Sequence, residues 1–301
     1  MIAISLAATR GTYAILKCVT VERDCWAEWV ARTRPGEDGD YPHWRWRDRI
    51  LLAAEPIAGE TVLDVGCGEG LVAFGALDRG AREVVFDDIS EDLLAFCRTA
   101  ARERGVLDRC RFVRATAEDL APVGAASVDV VTTRSVLIYV EGKQSAFREF
   151  ARVLRPGGRL SIFEPINRFA RRGADTWGGY DLSPLPDIAR KIRAAYEALQ
   201  PPDTDPMLDF DERDLVALAE RAGFFPIRLE LEAEVRSSEP VGWDAYVDTA
   251  GNPRIPTLAE AMREALTPAE RERLTSHLRP LVEEGRGRWR MATAFLHAIK
   301  P

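Results

Sequence analysis

The stretch Thr61-Val62-Leu63-Asp64-Val65-Gly66-Cys67-Gly68-Glu69-Gly70 constrains the fold more than any other part of the chain. Val62, Leu63 and Val65 read as a short buried strand. It ends in glycines at three alternate positions. Glycine there lets backbone N–H groups approach a ligand with no Cβ in the way. An apolar helical pattern follows at once (Leu71, Val72, Phe74, Leu77) and stops at Gly80. The turn therefore opens a helix whose N-terminus carries partial positive charge. Strand, glycine turn and helix in this order form a nucleotide-type cofactor cradle.

A dinucleotide fingerprint needs glycine at the sixth turn position, and this chain has Leu71 there. No Lys-Ser or Lys-Thr pair is present for a phosphate loop. Instead Asp64 stands two residues before the first glycine. A carboxylate there suits a ligand bearing an ammonium group better than a pyrophosphate. The competing reading is a glycine-rich turn with no ligand.

From residue 61 onward strand and helix patterns alternate, as a parallel sheet requires. Strands are expected at 62–65, 83–87, 111–114, 128–132, 159–164, 225–235 and 291–299. Helices are expected at 70–79, 91–104, 143–154 and 212–222, with Ser90 and Asp211 as N-caps. The fold class is α/β, a doubly wound, mostly parallel seven-stranded sheet with helical cap insertions. Segments 1–58, 166–209 and 236–290 break the alternation. The domain reading is a helical leader over 1–58, a cofactor-binding core over 59–165, and the rest of the sheet over 166–301, which carries the two insertions. Ligands of such sheets bind outside the carboxyl ends of the strands, so the insertions are natural material for a cap over that edge. The leader holds Trp26, Trp29, Trp44 and Trp46. Packing is the favoured reading for the first two, and pocket lining stands equally open for the other two.

Of the 301 residues 46% are hydrophobic, enough for a full core, and the net charge is −7 with no run of five basic residues. A duplex-binding surface is not expected, and no apolar run reaches membrane-spanning length. The first eight residues mimic a signal peptide but lack a Lys/Arg-rich start. The five cysteines, Cys18, Cys25, Cys67, Cys97 and Cys110, lack metal-finger spacing and read as reduced thiols of a cytoplasmic protein.

Asp88 follows the second strand, about twenty residues after the glycine turn, where an acid accepts from ribose hydroxyls. Asp87 points the other way if the strand continues. The glycine turn, Asp88, the loop Ala117-Glu118-Asp119, the run Asp129 to Ser135 and Leu154-Arg155-Pro156-Gly157-Gly158 stand in an order that resembles the class I S-adenosylmethionine (SAM)-dependent methyltransferases. The resemblance covers Thr61 to Pro165, and more loosely the rest. It implies that Asp64 and the backbone of Gly66, Cys67 and Gly68 hold the methionine moiety of SAM. Asp88 would hold the ribose and Ile89 pack on adenine. Ala117 and Glu118 would border the adenine edge, and the backbone at Thr133 and Arg134 face the methionine amino group. Thr116 departs from the family, where Asp is common at this place. A hydroxyl accepts the adenine amino group more weakly than a carboxylate.

The resemblance implies in-line transfer of the sulfonium methyl, leaving S-adenosylhomocysteine. The protein must position the acceptor and exclude water, and needs a base only for a protonated acceptor. Tyr139, Glu164 and His43 are the catalytic candidates. Tyr139, Trp177, Tyr180 and Trp243 are the candidates for acceptor binding, and no metal is expected. The acceptor is read as a small molecule, with no nucleic-acid or membrane partner. The alternatives are a peptide or protein side chain as acceptor, or a SAM-fold protein that binds without turnover.

Overall fold

The computed structural model describes residues 24–33, 43–170 and 176–301. The chain forms two compact units. The larger comprises Pro35–Arg171, Pro202–Val235 and Arg290–Pro301, and the smaller Met1–Arg34, Arg172–Pro201 and Arg236–Trp289. The leader is thus divided between them, and residues 202–209 go with the larger unit.

The larger unit is built on strands β1 (Thr61–Val65), β2 (Glu83–Asp88), β3 (Cys110–Arg114), β4 (Val128–Arg134), β5 (Leu154–Pro165), β6 (Ile227–Ser237) and β7 (Arg288–Ile299). Its helices include α1 (His43–Ala53), α2 (Leu71–Asp78), α3 (Glu91–Glu103), α4 (Lys143–Val153) and α5 (Glu212–Arg221). The sheet order is β3-β2-β1-β4-β5-β7-β6. Strands β1 to β5 pair in parallel, and β7 runs antiparallel to β5 with His297 opposite Ser161. This is the doubly wound, mostly parallel seven-stranded sheet read from the sequence.

Side chains alternate across each strand, so the sheet needs cover on both faces. Val62, Val84, Val130 and Phe163 pack with Leu51, Phe74 and Leu94 of α1, α2 and α3. Leu63, Val85, Val131 and Ile162 pack with Phe147, Phe150 and Leu215 of α4 and α5. Trp46 of α1 stacks on Phe163 at 4.8 Å, whereas Trp44 is 52% exposed. Helix α1 starts at His43, four residues earlier than its apolar pattern indicates. Strand β5 begins at Leu154, where the sequence reads a helix end. A register shift between Val128 and Val130 absorbs the Pro156-Gly157-Gly158 run. A Cβ at Gly158 would meet the Arg155 carbonyl at 2.8 Å. Edge strand β6 is mostly exposed and rich in charge, which suits an unpaired edge.

The smaller unit contains helix Cys25–Thr33, a two-stranded ribbon (Thr176–Trp177 with Tyr180–Asp181) and helices Pro186–Glu197, Trp243–Asp248, Leu258–Ala265 and Pro268–Glu283. Ile188, Ile192, Met262, Leu274 and Leu278 form its core. Capping boxes at Thr257/Glu260 and Thr267/Glu270 start the last two helices. Trp26 lies under the Arg254 guanidinium, and Trp29 Nε1 donates to the Ala250 carbonyl at 3.4 Å. The first two tryptophans therefore pack within this unit. Among the described residues no helix is long and apolar enough to cross a membrane.

One reading from composition is corrected. Cys25 is disulfide-bonded, while Cys67, Cys97 and Cys110 are free. Cys18 lies outside the described residues.

Candidate functional site

The strands β1, β2, β4 and β5 bring their carboxyl ends together in the larger unit. Asp88, the last residue of β2, ties the glycine turn to the next helix. Its Oδ2 accepts from the Gly68 amide at 2.9 Å and its Oδ1 from the Ser90 amide at 2.9 Å. Ser90 in turn caps α3, its hydroxyl accepting from the Leu93 amide at 3.0 Å. Beside the acid, Ile89 leaves 42% of its surface exposed, an apolar platform of the kind a nucleobase covers.

The glycines differ in purpose. A Cβ at Gly66 would collide with Val136 of the turn after β4, so this glycine permits close packing. At Gly68, where φ is +54°, a Cβ would meet nothing within 4 Å. The space before Gly68 is open, bounded by the α2 N-terminus and by Asp88. This fits the reading of a cradle for an extended ligand.

Two buried acids, Asp64 and Asp87, lie beneath the turn. Asp64 is 2% exposed; its Oδ1 accepts from the Thr132 hydroxyl at 2.8 Å and its Oδ2 from the Ala73 amide at 3.1 Å. Burial raises its pKa to about 7, against the opposing effect of those two hydrogen bonds. Asp64 is therefore held inside the β1–β4–α2 junction by both of its oxygens. Burial together with the neighbouring Asp88 and Asp64 charges holds Asp87 well above the usual carboxylate range, against the lowering pull of the Ala115 and Gly66 amides. Cys97 Sγ donates to the Gly68 carbonyl at 3.2 Å. Its contact and burial push the Cys67 thiol up, so these thiols behave as small apolar groups. Asp87, Cys97 and Val136 were not singled out as site residues from the sequence. Their partnership with the turn is set by the β1–β2 pairing, the α3 packing and the β4 loop, which no local spacing encodes.

Glu164 is 0% exposed. Its carboxylate accepts from the amides of Val136 and Leu137 at 2.9 Å and of Ile138 at 3.3 Å. Burial raises its pKa to about 7, partly offset by those amides. The structure thus gives it the task of fixing the turn after β4. Tyr139 ends that turn and is half-buried. His43 opens α1, and its side chain lies outside the described residues.

Thr116 is exposed and bridges to Asp119, Ala117 is 5% exposed, and Glu118 accepts from the Gly142 amide at 3.1 Å. Glu118 thereby anchors the start of α4. Thr133 is buried, its hydroxyl without a partner among the described residues, and Arg134 is half-buried beside it. Trp177, Tyr180 and Trp243 belong to the smaller unit. Trp177 packs on Tyr196 at 4.6 Å, and Tyr180 and Trp243 are buried against Tyr246. A separate cavity of about 360 Å³ is lined by Arg49, Phe295 and His297 among others and includes no residue of the glycine turn.

The sheet order, the open glycine turn and the acid at the end of β2 define a nucleoside-cofactor transferase of the class I type. Residues 63–162 match the family model described as a methyltransferase domain. The chain is 30% identical over 184 residues to the ubiquinone/menaquinone biosynthesis C-methyltransferase UbiE of Idiomarina loihiensis, an alignment covering 60% of this chain and 73% of that protein. It is 32% identical over 162 residues to the corresponding protein of a Shewanella species, covering 52% of this chain and 64% of that one. The structure of YcgJ from Bacillus subtilis has the same fold, with a TM-score of 0.54 at 19% identity, covering 86% of this chain and 99% of that one. The chain belongs to the class I SAM-dependent methyltransferases, enzymes whose cofactor is SAM.

Proposed function

We propose that the protein transfers the methyl group of SAM to a small-molecule acceptor. The observation that carries this reading is the open space before Gly68, framed by Asp88, Ile89 and the α2 N-terminus. When bound there, SAM supplies a methyl already activated on a sulfonium. The chain then has to hold the nucleoside, orient the acceptor in line and keep water out. Asp88 holds the ribose, Ile89 the adenine face, and the turn amides the methionine end. Glu164 contributes by fixing the Val136–Ile138 amides, and Tyr139 is the candidate for contact with the acceptor.

Besides Tyr139, the candidate for acceptor contact is Trp177 of the smaller unit. Trp177 keeps part of its surface exposed there, which suits a planar acceptor. The UbiE relatives are named for carbon methylation in quinone biosynthesis, so electron-rich ring compounds are the first acceptors to assay. The cytoplasm is the proposed compartment, on the free thiols Cys67, Cys97 and Cys110, with the Cys25 disulfide counting against it.

The test is methyl transfer from radiolabelled SAM into a panel of small phenols, quinols and amines, run beside peptide pools. Label in a small molecule supports the proposal. Label only in peptide, or SAM binding with no transfer to any acceptor, overturns it.

A further inference from the structure

Arg134 ends β4 next to the glycine turn. Its neighbour Thr133 pairs with Val65, the residue before Gly66, and Arg134 itself pairs with Phe163. The guanidinium is half-buried, yet among the described residues it makes no hydrogen bond or ion pair. The nearby acids do not neutralise it by contact. The oxygens of Asp64 are engaged by Thr132 and Ala73, and those of Glu164 by three amides. Both act on Arg134 only through their fields, and burial pulls its pKa below the ordinary guanidinium range.

A partly desolvated cation with all its donors uncommitted is costly unless a ligand completes it. Guanidinium presents a planar fork of N–H groups that matches a carboxylate in bidentate fashion. When Asp64 is ionised, its field reaches Arg134, so charges of opposite sign stand near the turn. That pairing is complementary to an α-amino-acid zwitterion. We propose that the Arg134 guanidinium binds the α-carboxylate of the cofactor's methionine moiety, while the field of Asp64 favours its α-ammonium. This rests on the cofactor reading and deepens it, because the resemblance gave Arg134 only a backbone role.

The consequence is that the protein discriminates adenosyl compounds by that carboxylate. The experiment is calorimetric titration of the full chain with S-adenosylhomocysteine and with its decarboxylated analogue, 5′-deoxy-5′-(3-aminopropylthio)adenosine. The wild type should prefer S-adenosylhomocysteine about tenfold or more. In Arg134→Met the preference should collapse towards one, with affinity for the analogue unchanged. Arg134→Lys, which keeps charge but not the fork, should fall between. Thermal unfolding confirms that each variant is folded.

Equal binding of the two compounds by the wild type overturns the proposal without any variant. A preference retained in folded Arg134→Met also overturns it, and would leave the guanidinium free for an anionic acceptor. Binding of neither compound by the wild type overturns the cofactor reading and this proposal with it.

Discussion

The Oδ2 of Asp88 accepts the amide of Gly68 at 2.9 Å, so the acid at the end of β2 and the glycine turn form one hydrogen-bonded unit. The cradle is thereby shaped before the cofactor arrives, which lowers the ordering cost of binding. Asp88→Ala should weaken SAM binding by about 1–3 kcal/mol, the scale for losing charge-assisted hydrogen bonds. Calorimetry on the folded variant checks this. Unchanged affinity would remove Asp88 from the ribose site.

The two glycines should respond in opposite ways. Gly66→Ala forces a Cβ into Val136 and should lower the melting temperature. Gly68→Val projects into open space, so its internal penalty is the left-handed backbone, about 1–2 kcal/mol. Gly68→Val should therefore stay folded but lose SAM binding. If it binds normally, the cradle lies elsewhere.

Stability of the cofactor-free protein should depend on pH through Asp64 and Glu164, each raised to about 7. A carboxyl whose folded pKa lies above its unfolded value stabilises the fold while protonated. That contribution is lost as pH rises through the folded value. Urea midpoints should therefore fall from about pH 5 to about pH 8, and Asp64→Asn should flatten the slope. A midpoint that rises over this window contradicts the assignment.

Glu164 is expected to position the turn rather than to take a proton from the acceptor. Glu164→Ala leaves three amides unpaired, two of them buried, and should cost roughly 3–5 kcal/mol of stability. Glu164→Gln keeps an acceptor oxygen and should keep turnover within about tenfold, with the shape of the pH–rate profile unchanged. A collapse of kcat in folded Glu164→Gln would restore it as a base.

Of the aromatic candidates, Tyr180 and Trp243 are buried in the smaller unit, so their removal should cost about 3–5 kcal/mol of stability. Trp177 and Tyr139 are half-buried and are the informative pair. Alanine at one or other should lower kcat/KM for the true acceptor more than about tenfold with SAM affinity nearly unchanged. Full activity in both would remove acceptor binding from these positions.

Asp88 and the Gly66–Gly68 turn were readable as one strand–turn–helix unit because their chemistry is local. A strand end, a tight turn and a helix start leave their marks within about twenty residues. The alternation of elements was readable for the same reason, since apolar side chains repeat at two or 3.6 residues wherever a face is buried. Glu164 shows where such reading stops. At the end of a strand it looks like a group aimed at substrate, and its three amide partners come from a turn 26–28 residues earlier in the chain. The early start of β5 and the division of the leader between two units are likewise products of packing between distant segments.

The sequence by itself determined the α/β class, the mostly parallel seven-stranded sheet and the family to which these belong, because those follow from periodicity and turn chemistry along the chain. Only the tertiary structure decided that Asp64, Asp87 and Asp88 are all buried, with Asp88 tied to the Gly68 and Ser90 amides, and that Arg134 makes no hydrogen bond or ion pair among the described residues. Those properties depend on what lies across the sheet from each side chain, and pairing across a sheet is not written in any single strand.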